Sequence, residues 1–254
     1  MSDNPVVDEI EEMAKRLHIP HIRRSFYDLA LSAKAQRWDP IELIRVLLEI
    51  EVKGRSAKTL EKRRIAANLP SNRTLDAFDR SISSIPTHTI HGLANLEWIP
   101  RKENVLVLGP PGTGKSFFAE ALATQAIEAG MRVAWYSAEA LCDYVEVAKA
   151  TDTLAASMLR LMRLDLIVLD DFGILPVGSN GSEALYRVVN ACYEKTSMIV
   201  TSNFPIGSFD EIITPKSLAS ALVDRLAHHA HLIETKGDSI RLAQALSGKG
   251  VVPL

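Results

Sequence analysis

The chain has 254 residues, with 29 Lys and Arg against 31 Asp and Glu, a formal net charge of −2, and 47% hydrophobic, 24% charged and 6% aromatic residues. That balance excludes a general polycation, so any nucleic-acid contact has to come from a local patch, and the apolar content excludes a mostly disordered chain. No apolar run reaches the roughly 18 residues of a membrane span, the acidic N-terminus lacks a signal core, and Cys142 and Cys192 match no metal spacing, so reduced, partly buried thiols in a cytoplasmic protein are expected.

Up to about residue 95 the pattern is helical. DEIEEMAKRL opens an amphipathic helix that HIP ends, and SFYDLALSAKAQRW follows. Asp39 is placed as the N-cap, and Pro40 as the first residue, of a long helix. Ile41, Ile44, Leu47, Leu48 and Val52 recur along it at helical spacing, and Gly54 marks a candidate interruption. LPSNRTLDAFDRS reads as a loop followed by another short helix. From about residue 102 the apolar runs NVLVLG, RVAWYSA, DLIVLDD and SMIVTSN alternate with helical segments. This predicts an α/β fold of parallel strands covered by helices on both faces. The expected domains are a helical front over 1–70 for DNA or partner contacts, a linker over 71–95 and a core over 96–254.

Gly109, Pro110, Pro111, Gly112, Thr113, Gly114, Lys115 and Ser116 match G-x-x-x-x-G-K-[ST] at every fixed position, between a predicted strand and a predicted helix. The glycines let the chain curl so that backbone N–H groups approach phosphate oxygens, and the helix start adds its positive dipole end. Lys115 would reach the β- and γ-phosphates of a nucleoside triphosphate and the Ser116 hydroxyl would ligate Mg²⁺; Phe117 joins the nucleotide-binding set. LIVLDD carries Asp170, placed to hold Mg²⁺ through its water shell, and Asp171, placed to orient the attacking water. DFG at 171–173 does not indicate a protein kinase, because there is no H-R-D loop and a Walker-type loop is the wrong phosphate binder for one. Asn203, closing the next predicted strand, is a candidate for touching the γ-phosphate or the water. Trp98 before the first strand fits either an adenine pocket or simple packing. His228, His229 and His231 read as surface and packing residues, since nothing in the pattern supplies further metal ligands.

GPPGTGKS, LIVLDD and TSN, in that order and spacing, resemble an AAA+ P-loop NTPase core. LDDFGILP, LYRVVNACYEKTSMIVTSN and ALVDRLAHHAHLIE, with IELIRVLLEIEVKGRSAKTLEKRRIAANLP at the front, resemble the IstB-like ATP-binding proteins of bacterial insertion sequences, relatives of the replicative-helicase loaders. The resemblance spans roughly residues 15 to 245. It implies ATP-dependent homo-oligomers on duplex DNA, with the ATP site at a subunit interface, that deliver target DNA to a transposase encoded by the same element. It also implies that Arg225 reaches a neighbour's ATP and that Arg241 senses phosphate; the reading from residues alone is a salt bridge of Arg225 with Asp224 or another acid. A small all-α front and little or no C-terminal lid are expected around the core. The Asp170–Asp171 pair stands where the wider AAA+ pattern has Asp-Glu. One methylene less disturbs water positioning and implies a slow ATPase suited to a switch.

Lys53, Arg55, Lys58, Lys62, Arg63 and Arg64 form the most basic stretch, with Arg55, Lys58 and Lys62 spaced for one helix face. Such a row can neutralise phosphates without reading bases, and it can equally be a solvated face. Arg23 and Arg24 make a second patch, and the loop 176–183 a further DNA-facing candidate. The leading expectation is an ATP-hydrolysing transposition helper. The alternatives are a helicase loader, whose front would present an exposed apolar face, and a nucleotide-dependent scaffold with little hydrolysis.

Overall fold

A computed structural model describes residues 5–173 and 178–246. The chain divides into two compact units, Met1–Lys62 and Arg63–Leu254.

The first unit is helical: α1 (Pro5–Arg16), α2 (Pro20–Gln36) and most of α3 (Pro40–Ala67). HIP ends α1 as expected, because His18 turns left-handed (φ 55°) and the Ile19 N–H returns to the Ala14 carbonyl at 3.0 Å. Asp39 caps α3 through the Ile41 N–H at 2.8 Å. Gly54 does not interrupt α3. A Cβ there would come 2.4 Å from the His21 ring, so the glycine serves the close approach of α2. Glu51, 5% exposed, accepts from the N–H groups of His21 and Ile22 at 2.9 and 3.0 Å, capping α2 from another helix. Burial alone would raise its pKa, but the Arg55 guanidinium and these two amides hold the carboxyl below its ordinary value. Ile41, Ile44, Leu48 and Val52 make an apolar stripe along α3 that stays more than half exposed.

The second unit holds five parallel strands in the order β2-β3-β4-β1-β5: β1 (Asn104–Leu108), β2 (Val133–Ser137), β3 (Leu166–Phe172), β4 (Ser197–Ser202) and β5 (Ala230–Glu234). Four are the predicted apolar runs. The fifth escapes that pattern because it is an edge strand with only Ile233 buried. The helices are α4 (Thr87–Ala94), α5 (Lys115–Glu128), α6 (Ala138–Ala150), α7 (Leu154–Met162), α8 (Ser179–Cys192), α9 (Phe209–Ile212), α10 (Lys216–Ala227) and α11 (Ile240–Leu246). The loop-and-helix expected at 69–81 is a run of turns, and the short helix is α4. Alanines 119, 121, 123 and 126 are fully buried and let α5 lie directly on the sheet. Helices α6, α8 and α10 cover a second core of Leu141, Val145, Leu185, Val188 and Leu222. Burial pushes the free thiols of Cys142 and Cys192 up to about 11 and about 12, leaving them poor nucleophiles. Among the described residues no helix is long and apolar enough to cross a membrane.

Candidate nucleotide site

The turn from β1 to α5 adopts the conformation its glycines permit. Gly109, Gly112 and Gly114 take φ of 141°, 81° and 92°, all in the region closed to most side chains. Among the described residues, the N–H groups of residues 112–117 find no protein acceptor. These are the unpaired donors of a helix start, gathered in one loop, and they fit a polyphosphate. Lys115 is 5% exposed and its Nζ donates to the carbonyls of Gly109 and Pro110 at 2.8 and 2.7 Å and to Asn203 Oδ1 at 2.8 Å. Burial pushes its pKa down, against the pull of Asp171 and Asp170 and together with the repulsion of Arg241. A buried ammonium resting on neutral carbonyls is a group that an anionic ligand would draw off.

The acids sit where a β-bulge ends β3. Side chains on a regular strand alternate faces, which would send Asp170 and Asp171 apart. The β3–β4 register shifts between Leu169 and Phe172, and Asp171 takes φ 57°. The bulge re-aims the second acid, so that Asp171 lines the same cavity as Lys115 and Asn203. Thr201, fully buried on β4, holds both: its hydroxyl donates to Asp170 Oδ1 at 2.5 Å and accepts from the Asp171 N–H at 2.9 Å. Burial raises the Asp170 pKa above its ordinary value; the Thr201 and Ser116 hydroxyls oppose the rise and the Asp171 charge adds to it. A carboxylate so poised beside the Ser116 hydroxyl fits a hard cation with oxygen ligands, and Mg²⁺ would relieve its charge.

The cavity measures about 370 Å³. Pro111, Gly112, Gly114, Lys115, Ser116 and Phe117 form one wall, and Asp171, Asn203 and Arg241 meet them. The opposite wall was not legible as such: Arg73, Ala77, Phe78, Asp79, Ile82 and Ser83, all from the expected linker. Buried Glu120 on α5 anchors that segment, accepting from the Ser71 N–H at 2.6 Å and lying 3.6 Å from the Arg73 guanidinium. Arg73 in turn lies over the Phe117 ring, 4.8 Å from its centroid, and Phe78 packs 5.5 Å from Phe117. Trp98 is elsewhere. Buried, with its Nε1–H on the Leu93 carbonyl, it is a packing residue.

The segment after β5 closes on the loop. Thr235 Oγ1 meets Thr113 Oγ1 at 2.7 Å, and the Ile240 N–H donates to the Gly112 carbonyl at 3.0 Å. A Cβ on Gly109 would reach the Thr235 carbonyl at 2.3 Å, and one on Gly112 the Ser239 Oγ at 2.1 Å. These contacts carry Arg241 to the cavity.

Arg225 lies outside this cavity. It donates to Asn190 Oδ1 and the Ala221 carbonyl and sits over the Tyr186 ring, with no acid partner among the described residues. The salt bridge with Asp224 is not formed. Of the basic stretch, Lys53 pairs with Glu49, Arg64 with Glu128, and Arg55 with Glu51 and the His18 carbonyl. Arg55 is thus drawn away from the row by the acid one turn before it. Lys58 and Lys62 are exposed and unpaired among the described residues, and Arg63 is half-buried. Arg23 and Arg24 are exposed on α2. Of the loop 176–183, residues 176 and 177 lie outside the described ones, and from Ser179 onward it is helix α8. Glu194 brings a third group to within 4.8 Å of His228 and His229, while His231 pairs with Glu103.

A parallel sheet in this order, with a phosphate-binding turn after β1 and paired acids closing β3, defines an AAA+ P-loop NTPase core. Solved structures share the fold: AMPPCP-bound DnaA of Aquifex aeolicus (TM-score 0.56, 21% identity, 74% of this chain and 58% of that one) and the DnaC helicase loader (TM-score 0.52, 18% identity, 65% and 98%). The chain belongs to the IstB-like ATP-binding protein family, whose model matches residues 12–248. An insertion sequence IS21 ATP-binding protein of Pseudomonas aeruginosa is 33% identical over 237 residues, 93% of this chain and 89% of that protein.

Proposed function

We propose that the chain is a cytoplasmic ATPase that assists transposition: it oligomerises on duplex DNA with ATP at the subunit interface, delivers target DNA to the transposase of its element, and hydrolyses ATP to ADP and phosphate to release the assembly. The observation that carries this reading is the convergence of Lys115, Asp171, Asn203 and Arg241 on one cavity floored by unpaired N–H groups, in a chain of this family. The loop amides and Lys115 would hold the phosphates, and the base would lie toward Phe78, Phe117 and Arg73. Mg²⁺, held by Ser116 and Asp170, would neutralise charge on the β- and γ-phosphates. Asp171 and Asn203 orient the attacking water. Arg225, outside its own cavity and without an acid partner among the described residues, is suited to reach the nucleotide of a neighbour. The helical front contacts DNA or the partner.

Lys115→Ala tests this. Fluorescent-nucleotide binding and electron microscopy of the protein on duplex DNA, with ATP, ADP or neither, should show lost affinity and lost ATP-dependent clustering. Unchanged affinity and clustering would overturn the reading. A helicase loader of the same fold is the second reading, favoured by the exposed stripe Ile41, Ile44, Leu48 and Val52. ATP-dependent capture of a replicative helicase in place of duplex DNA would select it.

A further inference from the structure

Four arginines of the second unit gather away from the nucleotide cavity. Strand β2 is an edge of the sheet, and a groove of about 500 Å³ runs beside it. Arg63, Arg132, Arg160 and Arg163 line it, together with Tyr136 and Tyr144, whose rings are 5.9 Å apart. Leu161 and Leu164 complete an apolar floor. Arg132 is committed to Asp165 through its guanidinium and its own N–H. Arg63, Arg160 and Arg163 have no acid partner among the described residues. No carboxylate or side-chain amide lines the groove.

Three guanidinium groups that share a groove and have no acid partner among the described residues repel one another, and a polyanion relieves that repulsion. A ligand that uses the whole lining is anionic with apolar parts, because Leu164, Val133 and Ala134 line the groove beside the arginines. A sugar–phosphate backbone alternates these two characters, with apolar sugar faces between phosphates. The planar fork of arginine matches phosphate oxygens in pairs. The absence of amides and carboxylates removes the side chains that read adenine and cytosine edges, and guanidinium groups on a sugar–phosphate backbone position the duplex without reading its bases.

We propose that this groove is a DNA-backbone site, in which Arg63, Arg160 and Arg163 bind the phosphates of one strand of the duplex. The proposal rests on the DNA-binding reading above and places contacts on Arg160 and Arg163, outside the basic stretch of α3.

The test is the salt dependence of duplex binding by the full chain with ATP, followed by anisotropy of a labelled duplex. Arg160→Ala/Arg163→Ala should flatten the slope of log K against log salt by about 1.8, at about 0.9 per phosphate contact. Nucleotide affinity should not change. Arg160→Lys/Arg163→Lys, which keeps the charge, should keep the slope. If the parent chain binds no duplex at any salt, the DNA reading itself fails and this site with it. If the parent binds and the alanine variant keeps the full slope, the groove alone is refuted. Loss of poly-glutamate binding with an unchanged duplex slope would likewise overturn it, assigning the groove to an acidic peptide.

Discussion

Thr201→Val removes one hydroxyl and leaves the shape of a fully buried side chain intact. That hydroxyl holds both acids of the site, at 2.5 Å from Asp170 Oδ1 and 2.9 Å from the Asp171 nitrogen. Losing a bond to a charged carboxylate costs about 1.5–3 kcal/mol and losing a neutral one about 0.5–1.5, so a deficit of about 2–4.5 kcal/mol is expected at neutral pH. The pH dependence carries the sign. Asp170 already titrates above its ordinary value, through burial first and despite the pull of Thr201. A carboxyl raised in the folded chain contributes stability that is full below the unfolded pKa and lost as pH rises through the folded one. Valine raises it further, so the deficit against the parent should be smallest below the unfolded pKa, where the lost bond from the Asp171 N–H remains, and should grow to its full size as pH rises through the folded pKa. Urea unfolding followed by tryptophan fluorescence measures both limits. A deficit that stays the same across that range, or stays below about 0.5 kcal/mol, would refute the idea that Thr201 holds the pair.

Three further outcomes are expected. Gly112→Ala should weaken nucleotide binding at least about tenfold, because its φ of 81° costs about 1–2 kcal/mol and its Cβ would meet Ser239. Adding Ser239→Gly should recover part of that loss, and fluorescent-nucleotide titration reads both. Glu51→Ala should cost about 1–2 kcal/mol by uncapping α2, with hydrogen exchange of the His21 and Ile22 amides speeding up first; unchanged exchange would contradict the cap. Asp171→Ala should keep ATP and DNA binding but slow phosphate release about a hundredfold and remain on DNA, and ordinary dissociation kinetics in that variant would reject the assigned role.

Chemistry that is local in the chain was readable from the residues themselves. Gly109 through Ser116 sit within one turn between a strand and a helix, and Asp170 and Asp171 close an apolar run, so spacing alone placed them at the same end of the sheet. Asp39 and Pro40 likewise announced the start of α3, because a cap acts on residues two positions away. What tertiary structure decided is everything that joins distant segments. Gly54 reads as a break in the sequence, and the fold uses it to admit the His21 ring. Arg55 reads as one member of a basic row, and its pairing with Glu51 one turn earlier is set by the fold. The bulge that turns Asp171 toward the cavity depends on its pairing with β4, and Thr201 serves both acids only because β3 and β4 are neighbours. Thr235 meets Thr113 across 122 residues, and Glu120 anchors Ser71 across 49. Residue type and spacing announce a group that acts on its own turn of chain; a group that acts on a stranger is defined only when folding brings the two within hydrogen-bond reach.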